Sequence, residues 1–135
     1  MLGRGVLSTM NERIRFNHCA PQFVVQDVDK SVDFYSRVLG FGIDYLSDSP
    51  ASYAVVYRDD VYIHLCLQKT HDFEFGPGGA FIAVTGVDAI WEDVQKEDVN
   101  TVNPLANQDY GSGIHFRVFT IHDLDTNVLR IGEPI

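Results

Sequence analysis

No apolar run in these 135 residues approaches the ~20 needed to cross a bilayer, so the chain carries no helical membrane span. Cysteine is nearly missing. Cys19 and Cys66 lie far apart, with no CxxC and no framework, which points to a reducing cytoplasm rather than a disulfide scaffold. Basic residues are scarce too, with 10 Lys and Arg against 19 Asp and Glu and a net charge of −9. So few cations cannot replace the counterions on a phosphate backbone, which argues against nucleic acid as a partner. The acidic balance itself reads as plain solubility. The opening "MLGRGVLST" has one Arg, a broken apolar core and no small-residue cleavage motif, so it does not read as a signal peptide. Met10 begins a second plausible start, "MNERIRFNH", and residues 1–9 are set aside as a start-site extension or expression remnant. Residues 1–19 as a whole are expected to form an N-terminal extension, an arm or partly disordered.

What is present is enough for one globular domain. The hydrophobic share of 45% and aromatic share of 12% support a buried core rather than a disordered chain. Within it, one pattern occurs twice. "FVVQDVDKSVDFYSRVLGFG" reads as a strand at Phe23–Val25, a helix capped by Asp29, and a stop at Gly40. The helix carries Val28, Val32, Tyr35 and Leu39 at helical spacing. "FIAVTGVDAIWEDVQKEDV" repeats this, with a strand at Phe81–Val84, a cap at Asp88 and a stripe of Val87, Ile90, Trp91 and Val94. Each unit is followed by strands, the first pair around Arg58-Asp59-Asp60 and the second around "DLDTN". "FGPGGA" is the linker between the halves. The expected fold class is therefore α+β, with two tandem βαβββ modules forming curved mixed sheets around a cavity. They make a single domain over residues 20–135, with module one at about 20–70 and module two at about 78–135.

Side-chain alternation then singles out a histidine. In "VYIHLCLQ", Val61, Ile63, Leu65 and Leu67 share one aliphatic face, suited to packing on a helix. Tyr62, His64, Cys66 and Gln68 share the other. In the second module Leu129 and Ile131 face one way, and Val128 and Arg130 the other. His64 and Arg130 thus take equivalent places on faces that are not plain core. A lone strand histidine is more often structural, but its pairing with Arg130 favours a site.

Two modules with these motifs resemble the vicinal oxygen chelate superfamily, which holds glyoxalase I, bleomycin-resistance proteins, fosfomycin-resistance transferases and extradiol dioxygenases. "DVDKSVDFYSRVLGF" and "FTIHDLDTNVLRIGEP" carry the resemblance, although Leu124 and Thr126 replace the usual Pro and Gly. The resemblance implies a cavity with one metal ligand on each of four strands, at positions that here are Ala20, His64, Phe81 and Arg130. Ala20 and Phe81 lack a donor, and Arg130 is a permanent cation. His18, one slip away on the first strand, would bring the set to two at best. No metal and no other cofactor is therefore expected.

Loss of the ligands with retention of the shell is what the bleomycin-resistance branch looks like. "YAVVYRDDVYIHLC" and "LRIGEP" are similar to it, as is Arg117, while His115 stands where that branch has a tryptophan. The resemblance implies a homodimer that sequesters a small molecule, in that branch a flat, cationic drug, in clefts shared by the subunits, without chemistry. The expected ligand-binding residues are His64, Phe81, His115 and Arg130, with Gln22, Tyr62 and Tyr110 nearby. Phe81 would offer a stacking face, and Arg130 a cationic fork for a carboxylate or other anion. No catalytic residue is expected. The competing reading is enzymatic: a metal-dependent lyase, isomerase or dioxygenase, or metal-free acid–base chemistry by His64 and His115.

Other motifs resolve to structure. "GPGG" has no GK[ST] after it and is not a phosphate loop. Asp123, Asp125 and Asn127 begin like a calcium loop, but Val128 and Pro134 stand where it needs Gly and Glu. They are expected to cap a hairpin turn. His71, beside Asp72, reads as solvated.

Overall fold

The computed structural model describes residues 12–68 and 77–135 of the chain, so the reading of His71 lies outside the described residues. The first module runs β1 (Gln22–Val25), α1 (Val28–Leu39), β2 (Gly42–Leu46), β3 (Tyr53–Arg58) and β4 (Val61–Leu67). The second runs β5 (Gly79–Ala83), α2 (Val87–Gln95), β6 (Thr101–Asp109), β7 (His115–His122) and β8 (Val128–Pro134). Each forms a four-stranded mixed sheet, ordered β1-β4-β3-β2 and β5-β8-β7-β6. β1 and β5 pair in parallel with β4 and β8, and the remaining pairs are antiparallel. This is the α+β pair of βαβββ modules expected from the repeat, with open, curved sheets.

The helices form where the repeat places them, but their caps differ. Asp27 rather than Asp29 caps α1, its Oδ1 accepting from the backbone N of Lys30 at 3.0 Å. Asp29 sits in the first turn and accepts from the backbone N of Ala51 at 3.1 Å, so the same charge also pins the approach to β3. The end of α1 is as expected, with Gly40 left-handed at φ 70°. α2 has no side-chain cap of its own. Glu133 of β8 supplies one instead, its Oε1 accepting from the backbone N of Gly86 and of Val87, each at 3.0 Å. A carboxylate there satisfies two orphan donors and opposes the helix dipole. Asp88 instead binds Arg117 through Nε and Nη2, at 2.9 and 2.8 Å.

Two strands had no clear signal in the sequence. β2 and β6 are the outer strands of their sheets, exposed on both faces apart from half-buried Leu105. With neither face covered, no alternation develops. β6 also carries Pro104, which cannot donate to a ladder, and its pairing with β7 shifts register there.

One core unites the modules. Phe23, Val25, Val32, Tyr35 and Leu39 of the first join Ile82, Val94, Phe119, Ile121, Leu129 and Ile131 of the second in a single buried cluster. Ile63 and Leu65 are fully buried on the aliphatic face of β4. Each such side chain contributes about 1.5–3 kcal/mol relative to exposure.

The modules are tied by the turn between β7 and β8. Asp123, only 6% exposed, accepts from the Tyr35 hydroxyl at 2.7 Å across the module boundary. It also accepts from the backbone N of Asp125 and of Asn127 at 2.8 and 3.0 Å, and from Asn127 Nδ2 at 2.9 Å. Asn127 Oδ1 takes the backbone N of Gly78 at 2.8 Å. Asp125 reaches back to module one, accepting from the backbone N of Gln26 at 3.1 Å and from Ser31 Oγ at 3.5 Å. The turn caps itself, as the sequence suggests, and also fastens the halves. Burial, then the Asp123 carboxylate, hold the Tyr35 phenol well above its ordinary pKa, so it keeps the proton it donates.

Two outcomes follow. Tyr35→Phe removes one donor from a buried carboxylate and is expected to cost about 1–3 kcal/mol in urea unfolding. Asp125 has a pKa raised by partial burial first, with Asp123 and Asp27 adding repulsion against the bonds from Gln26 and Ser31. A carboxyl whose folded pKa lies above its unfolded value penalises folding at neutral pH, and the penalty disappears as pH falls through the carboxylate range. Asp125→Asn is therefore expected to raise Tm near pH 7. That gain should shrink toward zero by about pH 4.

Candidate functional site

The polar faces of the two sheets carry the candidate residues, in two clusters. In the first sheet the parallel register sets Gln22 beside His64, and His64 beside Val55 of β3. Tyr53, two residues along from Val55, brings its hydroxyl to 2.6 Å from His64 Nδ1, with the rings edge to face at 5.7 Å. Gln22 Nε2 donates to the same hydroxyl at 3.4 Å. Burial, together with the Cys66 thiol, pushes the Tyr53 phenol above its ordinary pKa, and the bond from Gln22 opposes this. Tyr62 stacks on Tyr57 at 5.7 Å and meets His18 at 6.3 Å, which places the exposed His18 along the same face. Cys66 closes the row and is buried.

The second cluster surrounds Arg130. Its guanidinium carbon lies 5.9 Å from the centre of the Phe81 ring and 5.7 Å from that of Tyr110, and Nη2 donates to the Tyr110 hydroxyl. Phe116 packs edge-on against Phe81 at 5.2 Å and Tyr110 at 6.0 Å. Gly132 is needed beneath this group: an added Cβ would lie 3.0 Å from Phe81 Cζ and 3.2 Å from Val118 Cγ2. Phe81 and Tyr110 remain 46% and 45% exposed, so the guanidinium rests on rings whose outer surfaces are open. Two cation–π contacts and a hydrogen bond orient it without neutralising it.

Six of the seven residues expected at the site therefore fall into two groups, Gln22, Tyr62 and His64 on one sheet and Phe81, Tyr110 and Arg130 on the other. His115 joins neither. It shares the parity of Arg117, which binds Asp88 of α2, and of Phe119, which packs on Trp91 of α2. It thus sits on the helix side of β7 at the strand's start, 3.8 Å from Asp109 Oδ1. The alternation of "HFRVFTIH" carries that information, since Phe116, Val118 and Thr120 form the other face. Arg117 likewise has a structural task, reaching Asn107 as well as Asp88. An acid–base pair of His64 with His115 is not assembled within the chain. Tyr53 and Phe116 are the residues that sequence reading missed. A cavity of about 560 Å³ opens elsewhere, lined by Leu39, Phe41 and Arg58 of module one and Ile82, Ile90 and Ile131 of module two. It touches neither cluster.

The four positions that the resemblance gives for metal ligands do not suit an ion. Ala20 and Phe81 have no donor atom. Arg130 presents a cation, and His64 has Nδ1 engaged by Tyr53. Among the described residues no three His, Cys, Asp or Glu side chains gather as a ligand set. Protein incubated with zinc, manganese or nickel and desalted is expected to retain only substoichiometric metal by elemental mass spectrometry. One tightly held ion per chain would overturn this assignment of positions.

Comparison with known proteins gives the family and the fold. Residues 15–132 match the family model described as the Glyoxalase/Bleomycin resistance protein/Dioxygenase superfamily. The fold is shared with TioX from Micromonospora sp. ML1, at 16% identity and a TM-score of 0.75 over 88% of this chain and 100% of that one. A superfamily member from Sphaerobacter thermophilus DSM 20745 superposes with a TM-score of 0.72 at 17% identity, over 89% and 99% of the two chains. UcmS2 does so at 0.68 and 17%, over 88% and 98%. No curated protein matches the sequence. With the family model spanning nearly the whole described fold, the chain belongs to the glyoxalase/bleomycin resistance protein/dioxygenase superfamily.

Proposed function

We propose that this protein is a metal-free binder of a small aromatic anion, of the bleomycin-resistance type, and that it works as a homodimer. The observation that carries this reading is Arg130, a guanidinium steadied by Phe81 and Tyr110 on a half-open face. A carboxylate can take the free edge of the fork while an aromatic body stacks on the exposed rings. This pocket chemistry contrasts with the acidic chain as a whole and turns the reading away from a cationic drug.

The homodimer is motivated by incompleteness. The His64 and Arg130 clusters are each bonded within their own sheet, and each leaves aromatic surface open. Tyr45, Tyr57 and Tyr62 are exposed on the first sheet, as Phe81 and Tyr110 are on the second. Such patches on both sheets suit a partner. A second copy would lay its module two against module one, giving two equivalent clefts by symmetry. Cys19 and Cys66, which are not in a disulfide, fit a reducing compartment such as the cytoplasm.

Benzoate and benzylammonium, which share a ring and differ in charge, test the reading by calorimetry. Benzoate should bind and benzylammonium should not. Arg130→Leu should weaken benzoate by about tenfold to a hundredfold, the range for losing a charge-assisted hydrogen bond. Phe81→Ala should weaken it several-fold. Equal affinity for both probes, or a preference for the cation, would contradict the proposal.

A further inference from the structure

Tyr53 has no place in the binding chemistry described so far, yet it makes the closest polar contact on its face. Its hydroxyl is 2.6 Å from His64 Nδ1, short for an O–H···N bond. A phenol is a far better proton donor than a neutral imidazole N–H, and an unprotonated imidazole nitrogen is a good acceptor. Gln22 Nε2 points at the same phenol oxygen and uses one of its lone pairs, which leaves the phenol proton to Nδ1. Among the described residues His64 Nε2 has no hydrogen-bond partner, and the ring is only half-buried.

We infer that Tyr53 is a positioning residue that locks His64 in the Nε2–H tautomer, so that module one presents a neutral hydrogen-bond donor to the ligand. The chain of donation runs from the Gln22 amide to the Tyr53 hydroxyl, to His64 Nδ1, and from His64 Nε2–H outward. The atom that meets it must be an acceptor, such as a carbonyl or carboxylate oxygen. An ammonium or hydroxyl proton aimed at Nε2 would find another proton. Near each cluster the ligand then carries oxygen acceptors: a charged one at Arg130 and a neutral or charged one at His64. The chemical class narrows from aromatic anion to aromatic anion with a second oxygen acceptor at its far end. This inference rests on the reading of His64 as a ligand-facing residue.

Tautomers are read from the two ring nitrogens by NMR of ¹⁵N-histidine protein without ligand, at about pH 8.5 where imidazoles are neutral. In the wild type, His64 Nδ1 should resonate as a pyridine-type nitrogen shifted by its bound proton, and Nε2 as a pyrrole-type nitrogen. Tyr53→Phe keeps the ring and removes the donor. It should shift Nδ1 toward the unbonded position and draw the two nitrogens toward tautomer averaging. His122, whose Nδ1 meets Asn100 Nδ2 at 3.1 Å, should not respond and reports that the variant is folded. A wild-type His64 protonated at Nδ1 would overturn the inference and mean that Gln22 turns its carbonyl to Tyr53. Indifference of His64 to Tyr53→Phe would overturn it as well. Since no ligand is present, a wrong tautomer leaves the Arg130 site standing. Failure of benzoate to bind leaves the tautomer standing.

Discussion

A carboxylate buried at the junction of two modules must have its charge answered by hydrogen bonds or the fold cannot bear it. Asp123 meets this condition with the Tyr35 hydroxyl, the backbone N–H groups of Asp125 and Asn127, and the Asn127 amide. No cation lies among these partners. Because the donors come from α1 and from the turn itself, satisfying the charge sets where module one sits on module two. Asn127 and Asp125 extend the same network to Gly78, Gln26 and Ser31. Gly78 also lets the Phe23 ring close, since a Cβ there would lie 2.9 Å from Phe23 Cδ1.

That placement commits the aliphatic faces of both sheets to a common core and leaves the polar faces outside it. The division of labour among strand residues follows. Leu65, Leu129 and Ile131 stabilise, while their neighbours His64 and Arg130 lie outside the core on the polar faces. Each of the latter is oriented by one phenol, Tyr53 for His64 and Tyr110 for Arg130. The pseudosymmetry of the repeat thus extends from backbone to device. One face carries an imidazole bonded to a phenol and the other a guanidinium bonded to a phenol. Where the resemblance places metal ligands in module two, at Phe81 and Arg130, this chain has an aromatic ring and a cation.

Much of this was legible in the sequence, where local chemistry repeats. The helical stripe, the Gly40 stop, the two faces of "VYIHLCL" and the turn at Asp123 each follow from spacing and side-chain type within a few residues. What escaped depends on contacts between distant segments. Tyr53 meets His64 only through the hairpin register of β3 on β4. Glu133 caps α2 from the far end of the chain. Asp27 displaced Asp29 as a cap because a "D-V-D" run offers two carboxylates, and the competing donor at Ala51 is out of local view. His115 was set in the cavity by its place opposite a family tryptophan. The period-two pattern of its own strand puts it on the helix side, with Arg117 and Phe119.

The central claim is that one chain holds two half-sites and that a second copy completes them. Sedimentation equilibrium of the full chain at micromolar concentration tests this without knowledge of the ligand. The account predicts a species of twice the 15.2 kDa chain mass, dissociated when Tyr45 or Tyr57 is changed to Glu. A monomer across the whole concentration range would contradict it, and the His64 and Arg130 faces would then have to bind separately.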